Sequence, residues 1–158
     1  MVEDDKLQLA TSLMLKASKN GIRLIIQKDV VVANFFGPDA ERLTVDIDEI
    51  PNEWYIMDIG HKTLDLFKSE VSAAKTVLWN GPMGVFEFKK FSKGTVELAA
   101  TLGSLKGVTT VLGGGSTAEA VDSLGIGDRI THVSTGGGAT LEFLEGKQLP
   151  GIVSLLDK

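Results

Sequence analysis

The residues best suited to chemistry lie in the stretch Trp79-Asn80-Gly81-Pro82-Met83-Gly84-Val85-Phe86-Glu87. A short apolar run, residues 75–79 with β-branched Thr76 and Val77, leads into it and reads as a buried strand. Asn80-Gly81-Pro82 then stops the strand. Gly81 and Gly84 carry no Cβ, so a flat ligand can come close to the backbone. Glu87 offers an acceptor for a pair of sugar hydroxyls. Two glycine triplets follow, Gly113-Gly114-Gly115 and Gly136-Gly137-Gly138. Each succeeds an apolar run and opens a helical pattern. Free N–H groups and the positive end of a helix dipole then meet at one point, which suits anions. Three glycines in a row cost roughly 0.5–1 kcal/mol each in backbone entropy, and that cost argues for a use. The joint reading is one strand-end loop for a nucleoside and two helix N-termini for phosphates.

Blander readings stand beside this one. Ser116-Thr117-Ala118-Glu119 is also a capping box, with Ser116 as N-cap and Glu119 reaching back. Gly113, Gly115 and Ala118 fit a dinucleotide fingerprint, but that pattern needs an acid about 20 residues on. The corresponding strand, Thr131-His132-Val133-Ser134-Thr135, has none, and no GxxxxGK[ST] loop exists. His61 and His132 have no partner at metal-ligand spacing and read as structural. Lys89, Lys90 and Lys93 read as a solvated helix start. Phe86 and Phe88 read as core.

Positioning these residues requires a scaffold of strands and helices. Leu7, Ala10, Met14 and Ala17 recur at helical spacing, between acidic Asp4-Asp5 and Asn20-Gly21. Residues 22–26 and 30–34 read as buried strands, 43–47 as an edge strand and 54–59 as a core strand. Helices are expected around Leu64 to Ala74, over 91–102, over 117–124 and over 139–144. Strands are expected over 108–112 and 130–134. This alternation predicts an α/β fold: a Rossmann-like, doubly wound, mostly parallel sheet with helices on both faces. The two triplets form a weak repeat at an offset of 23 residues (136 minus 113), one helix plus one strand. Both therefore fall at the same sheet edge, where open α/β sheets bind ligands. The chain opens on a helix, so its first strands are expected to be missing.

Composition narrows the function classes. The 158 residues amount to one domain, with 43% hydrophobic and 23% charged residues, so a core can form. The 18 glycines are about 11% of the chain against a usual ~7%. A net charge of −5 argues against nucleic acid or an anionic membrane as partner. Cysteine is absent, which excludes disulfides and thiolate metal sites. The acidic start is unlike a signal peptide, and no apolar run spans a membrane, so the cytoplasm is the default location.

WNGPMGVFE, GGGSTAEAV and HVSTGGGATLEFLEGKQLPG together resemble the nucleotide-binding, C-terminal half of phosphoglycerate kinase. The resemblance is densest from Trp54 to Ile152, extends loosely back to Glu3, and covers less than half of a full-length family enzyme. It implies a partial nucleotide-binding domain over residues 1–158. It also implies reversible phosphoryl transfer between magnesium ATP and 3-phosphoglycerate, a step of glycolysis. The acceptor is a carboxylate already ionised at pH 7, so positioning and charge neutralisation suffice. Asn80 would stand near the nucleotide phosphates, Pro82 and Val85 against the nucleoside, Glu87 on the ribose, and Gly60 beside the adenine. Gly113, Gly114, Gly115, Ser116 and Thr117 would hold phosphate. Gly136, Gly137 and Gly138 would lie near the transferring group.

Two positions depart from the family pattern. Ser116 stands where members carry an aspartate for the nucleotide's Mg²⁺; a serine hydroxyl can ligate magnesium but brings no charge. His61 stands where proline is usual. The acid-substrate domain and the early lysine-bearing and glycine-rich loops of this half are absent. The chain is therefore expected to bind ADP or ATP but not to turn over alone, and to self-associate through exposed core. A stand-alone nucleotide module and a remnant without a ligand are the other classes.

Overall fold

The computed structural model of the chain describes residues 3–134 and 136–156; Thr135, part of the glycine repeat, lies outside them. Two three-stranded sheets divide the work. The first holds β1 (Asp29–Ala33), β2 (Arg42–Asp46) and β3 (Tyr55–Ile59) in the order β2-β1-β3. The second holds β4 (Thr76–Asn80), β5 (Thr109–Gly113) and β6 (His132–Ser134) in the order β4-β5-β6. Helices connect them: α1 (Leu7–Lys19), α2 (His61–Ala73), α3 (Lys93–Ser104), α4 (Gly115–Ser123), α5 (Gly137–Leu144) and α6 (Pro150–Leu156).

The second sheet is parallel throughout, as strand–helix alternation predicts. The first is antiparallel, which the alternation does not show. Its connections explain the difference. The loop between β1 and β2 is short and closed by the Glu41 amide donating to Asn34 Oδ1 at 3.0 Å. β2 and β3 are joined through a 3-10 turn and Glu53 at φ 64°. A loop as short as the one between β1 and β2 joins antiparallel neighbours, whereas adjacent parallel strands need a crossover of a dozen residues or more; β2 and β3 flank β1 on opposite sides and run parallel to each other, so the second connection crosses β1.

The expected strand over residues 22–26 does not form: among the described residues the segment has no ladder partner. Ile22, Leu24 and Ile26 are 62%, 54% and 52% exposed. A strand with no neighbour leaves its backbone groups to water and gains nothing from being apolar. Helix α1 does form, but it buries no residue. Helix α6 lies beyond the elements foreseen from the sequence.

Two cores result. Trp79, Leu112, Leu98, Leu102 and Val121 pack between the parallel sheet and helices α2, α3 and α4. Met57, Phe91, Ala33 and Ala40 form a smaller core under the antiparallel sheet, with Val85 and Phe88 against it. Phe88, expected from its sequence setting to be core, is half-buried against this cluster. The segment 81–88, which runs from β4 into the second core, is packed against both.

Candidate functional site

Strands β4, β5 and β6 end side by side, with Asn80 in register with Gly113 and Gly113 with Ser134. Their C-terminal ends carry the three glycine loops. Gly81 turns the chain out of β4 at φ 100°, a conformation that favours glycine. The Gly81 amide donates to Thr117 Oγ1 at 2.7 Å, which ties the first loop to helix α4. A Cβ on Gly113 would sit 2.6 Å from Asn80 Oδ1, so glycine is what lets Asn80 lie across the end of β5. Gly114, at φ 93°, is the N-cap of α4. Gly137, which begins α5, comes within 3.7 Å of Gly114 Cα by the same measure. Asn80, Gly81, Gly113, Gly114, Gly115, Thr117 and Gly137 are therefore one cluster. Gly136 joins its rim, its amide donating to Ser134 Oγ at 3.2 Å.

The capping box is not formed. Helix α4 begins at Gly115, so Ser116 lies one residue inside it and no side chain caps the helix. Ser116 and Glu119 are both exposed. The reason is local: Gly114 reaches the required cap geometry without a side chain, and the helix starts two residues earlier than the pattern suggests. The early N–H groups of α4 have no intrahelical partner and face the strand-end cluster.

The rest of the central loop is fixed from the other side. Val85 N–H donates to Met57 O at 2.9 Å, and Met83 N–H to Thr95 Oγ1 at 3.0 Å. A Cβ on Gly84 would lie 2.5 Å from Asp58 Oδ1 and 2.6 Å from Met57 O. Pro82 and Val85 are half-buried, while Glu87 is exposed at the loop's outer end. Gly60 is placed apart. It is buried against the Asp29 carboxylate and borders a separate cavity of about 240 Å³ with Arg42, His61 and Lys93. His61 occupies the first position of α2, where proline is well tolerated because that N–H needs no intrahelical acceptor.

Two buried carboxylates escaped sequence reasoning. Asp29 accepts from the amides of Lys62 (3.1 Å) and Thr63 (2.7 Å) and from Thr63 Oγ1 (2.7 Å), and so holds the start of α2. Burial pushes its pKa up, but these hydrogen bonds, with His61 nearby, bring it below the ordinary value. Asp58 accepts from the amides of Ile59 and Gly94, both at 2.9 Å, and so holds the start of α3. Burial dominates there and raises its pKa. The available signal was an aspartate at the start of an apolar strand run (Asp29) or near its end (Asp58).

Among the described residues, no group of three or more His, Cys, Asp or Glu side chains is placed to hold a metal. Thr117 Oγ1 already accepts from Gly81, which leaves Ser116 as the hydroxyl at the start of α4. A single hydroxyl fits a cation that arrives with a nucleotide's phosphates; it does not make a resident metal site.

Parallel strands ending in glycine loops at helix N-termini place the chain among α/β proteins built to take ligands at a strand-end crevice. The phosphoglycerate kinase family pattern matches residues 1–147. Phosphoglycerate kinase of Gloeothece citriformis is 53% identical over 98% of this chain and 39% of its own length. That of Clostridium tetani is 50% identical over 100% of this chain and 39% of its own. The structure of phosphoglycerate kinase from Coxiella burnetii superposes with a TM-score of 0.89 at 38% identity, over 95% of this chain and 38% of that one. The chain belongs to the phosphoglycerate kinase family. It spans about two fifths of the length of the curated relatives it matches.

Proposed function

We propose that this chain is the nucleotide-binding part of a phosphoglycerate kinase, supplying ADP- and ATP-binding elements for phosphoryl transfer between MgATP and 3-phosphoglycerate. The observation that carries the reading is the strand-end cluster. Asn80, Gly81 and the two glycine triplets meet at one edge of the parallel sheet, with early helix N–H groups beside them. The amides of Gly115 and Ser116 bind phosphate through backbone donors and the α4 dipole, which needs no net positive charge on the protein. Asn80 orients the phosphates. Pro82, together with Val85 pinned by its amide on Met57, forms the apolar side of a nucleoside seat, and Glu87 holds the ribose hydroxyls. The amides beside Gly136, Gly137 and Gly138 face the transferring phosphoryl group. Gly60, buried on Asp29 beside the separate cavity, stands apart from this seat. Ser116 would offer a hydroxyl to a Mg²⁺ carried by the nucleotide, which would neutralise phosphate charge.

Calorimetric titration with ADP in magnesium tests this. Saturable binding with one site per chain supports it, and Glu87→Gln should weaken that binding by roughly 1.5–3 kcal/mol through loss of a charge-assisted hydrogen bond. Absence of saturable heat would favour a remnant without a ligand.

A further inference from the structure

Helices α2, α3 and α4 begin alike. The third residue of each is a threonine, Thr63, Thr95 and Thr117, and all three are at most 1% exposed. Each hydroxyl oxygen accepts a backbone amide from another part of the chain. Thr63 Oγ1 accepts from Lys28 at 2.9 Å and from Asp29 at 3.0 Å. Thr95 Oγ1 accepts from Met83 at 3.0 Å, and Thr117 Oγ1 from Gly81 at 2.7 Å. The placement has a simple cause. A helical Cα–Cβ bond tilts toward the helix N-terminus, so a short side chain in the first turn reaches back past the helix start. Two of the three hydroxyls serve the loop that leaves β4. Its amides are taken at alternate residues by three different elements: Gly81 by α4, Met83 by α3, and Val85 by Met57 O of β3 at 2.9 Å. Pro82, between the first two, has no amide to place. The α3 contact is itself anchored, because the Asp58 carboxylate of β3 accepts the Gly94 amide at 2.9 Å, one residue before Thr95.

We propose that Thr95 is a positioning residue for nucleotide binding. Its hydroxyl touches no ligand; it holds Met83, and with it Pro82 and Val85, in the shape that receives the nucleoside. The proposal rests on the nucleotide reading above. A loop already set in its bound shape spares the ligand the entropy of ordering it, so the hydroxyl acts on affinity through the backbone. Thr117 does the same for Gly81, but it shares α4 with the phosphate-facing amides. Thr95 lies on a different helix, which separates positioning from direct contact. The chemistry of the side chain makes the role separable from packing. Thr95→Val keeps the shape and removes the acceptor. The Met83 amide then lacks a partner where it is part-buried, and it turns toward water and takes the loop with it. Thr95→Ser keeps the acceptor and loses a buried methyl. Both variants should melt earlier than the parent, one through a lost bond and one through lost packing, so stability does not tell them apart. Affinity and the state of the Met83 amide do.

Calorimetric titration with ADP and Mg²⁺, paired with amide hydrogen exchange in the absence of nucleotide, tests the proposal on the parent and both variants. Thr95→Val should bind ADP about tenfold more weakly than the parent, and Thr95→Ser within about threefold of it. The Met83 amide should exchange slowly in the parent and in the serine variant. In the valine variant its exchange should accelerate at least about tenfold more than that of the Leu112 amide in β5, which reports opening of the core. Affinity that falls equally in both variants, or in neither, overturns the proposal. So does a Met83 amide that stays protected in the valine variant. A parent that does not bind ADP refutes the nucleotide reading itself; Met83 protection lost with valine and kept with serine would still support the hydroxyl as the group that sets the loop.

Discussion

Ser116 is one side chain with two proposed jobs, and the structure removes one of them. It lies inside α4 and caps nothing, so its remaining use is as a hydroxyl beside bound phosphate. Ser116→Asp puts a carboxylate in the first turn of α4, where the helix dipole favours it by about 0.3–1 kcal/mol. Stability should therefore hold or rise slightly. In magnesium the variant should bind ADP more tightly, because Mg²⁺ prefers carboxylate oxygen. In chelator the new charge should repel phosphate and leave binding equal or weaker. Equal magnesium dependence in parent and variant would remove Ser116 from the metal position. Asp29 makes a different kind of prediction. Its native pKa lies below its ordinary 3.8, so the native state holds its charge more strongly than the unfolded chain does. The stability it contributes is complete above pH 3.8 and is lost as pH falls through the native value. Asp29→Asn should cost about 1.5–3 kcal/mol at pH 7, the worth of hydrogen bonds to a charged acceptor, and much less in strong acid. Urea unfolding at both pH values measures this. Asp58 has the opposite sign: its raised pKa means stability declines as pH rises from 3.8 through the native value.

At the scale of elements, the strands and helices around the site were legible because each carries a strong local signal. β4 and β5 carry apolar runs stopped by glycine, and α2 and α3 show helical periodicity. The strand patterns do not give the orientation of the first sheet, since β1 to β3 look alike whether they run parallel or antiparallel; the short β1–β2 loop was the signal. Segment 22–26 misled for a related reason. Apolar alternation announces a strand, but pairing is decided by a neighbour that the pattern cannot name. The start of α4 was misplaced because Ser116 is a good cap residue beside a glycine that needs no side chain to do the same task. Gly84 shows what the structure adds. In the sequence it is only a loop glycine, whereas in the fold a Cβ there would strike Met57 O and the Asp58 carboxylate. The obstruction includes backbone, so it cannot swing aside. Gly84→Ala should destabilise by about 1–3 kcal/mol, the usual cost of overpacking, and should displace Val85 from Met57. A lower melting temperature with weaker ADP binding is the expected outcome; an unchanged protein would mean the loop is not held at that point.

At the scale of the whole molecule, family membership was legible because the three motifs are long and occur in order. What the chain does alone is a separate matter. It spans 39% of its relatives' length, and we propose that the acid-substrate site lies outside that span. A coupled assay with ATP and 3-phosphoglycerate should therefore show no turnover from the pure chain, and clear turnover would refute this division of labour. The central claim is narrower and can be tested directly. Backbone amide shifts of the labelled chain, followed by NMR during titration with ADP and Mg²⁺, report where the nucleotide sits. The account predicts saturable shifts centred on Asn80, Gly81, Gly84, Val85, Glu87, Gly113 to Thr117 and Gly136 to Gly138. No saturable shift, or shifts centred on the separate cavity between Arg42 and Lys93, would contradict it.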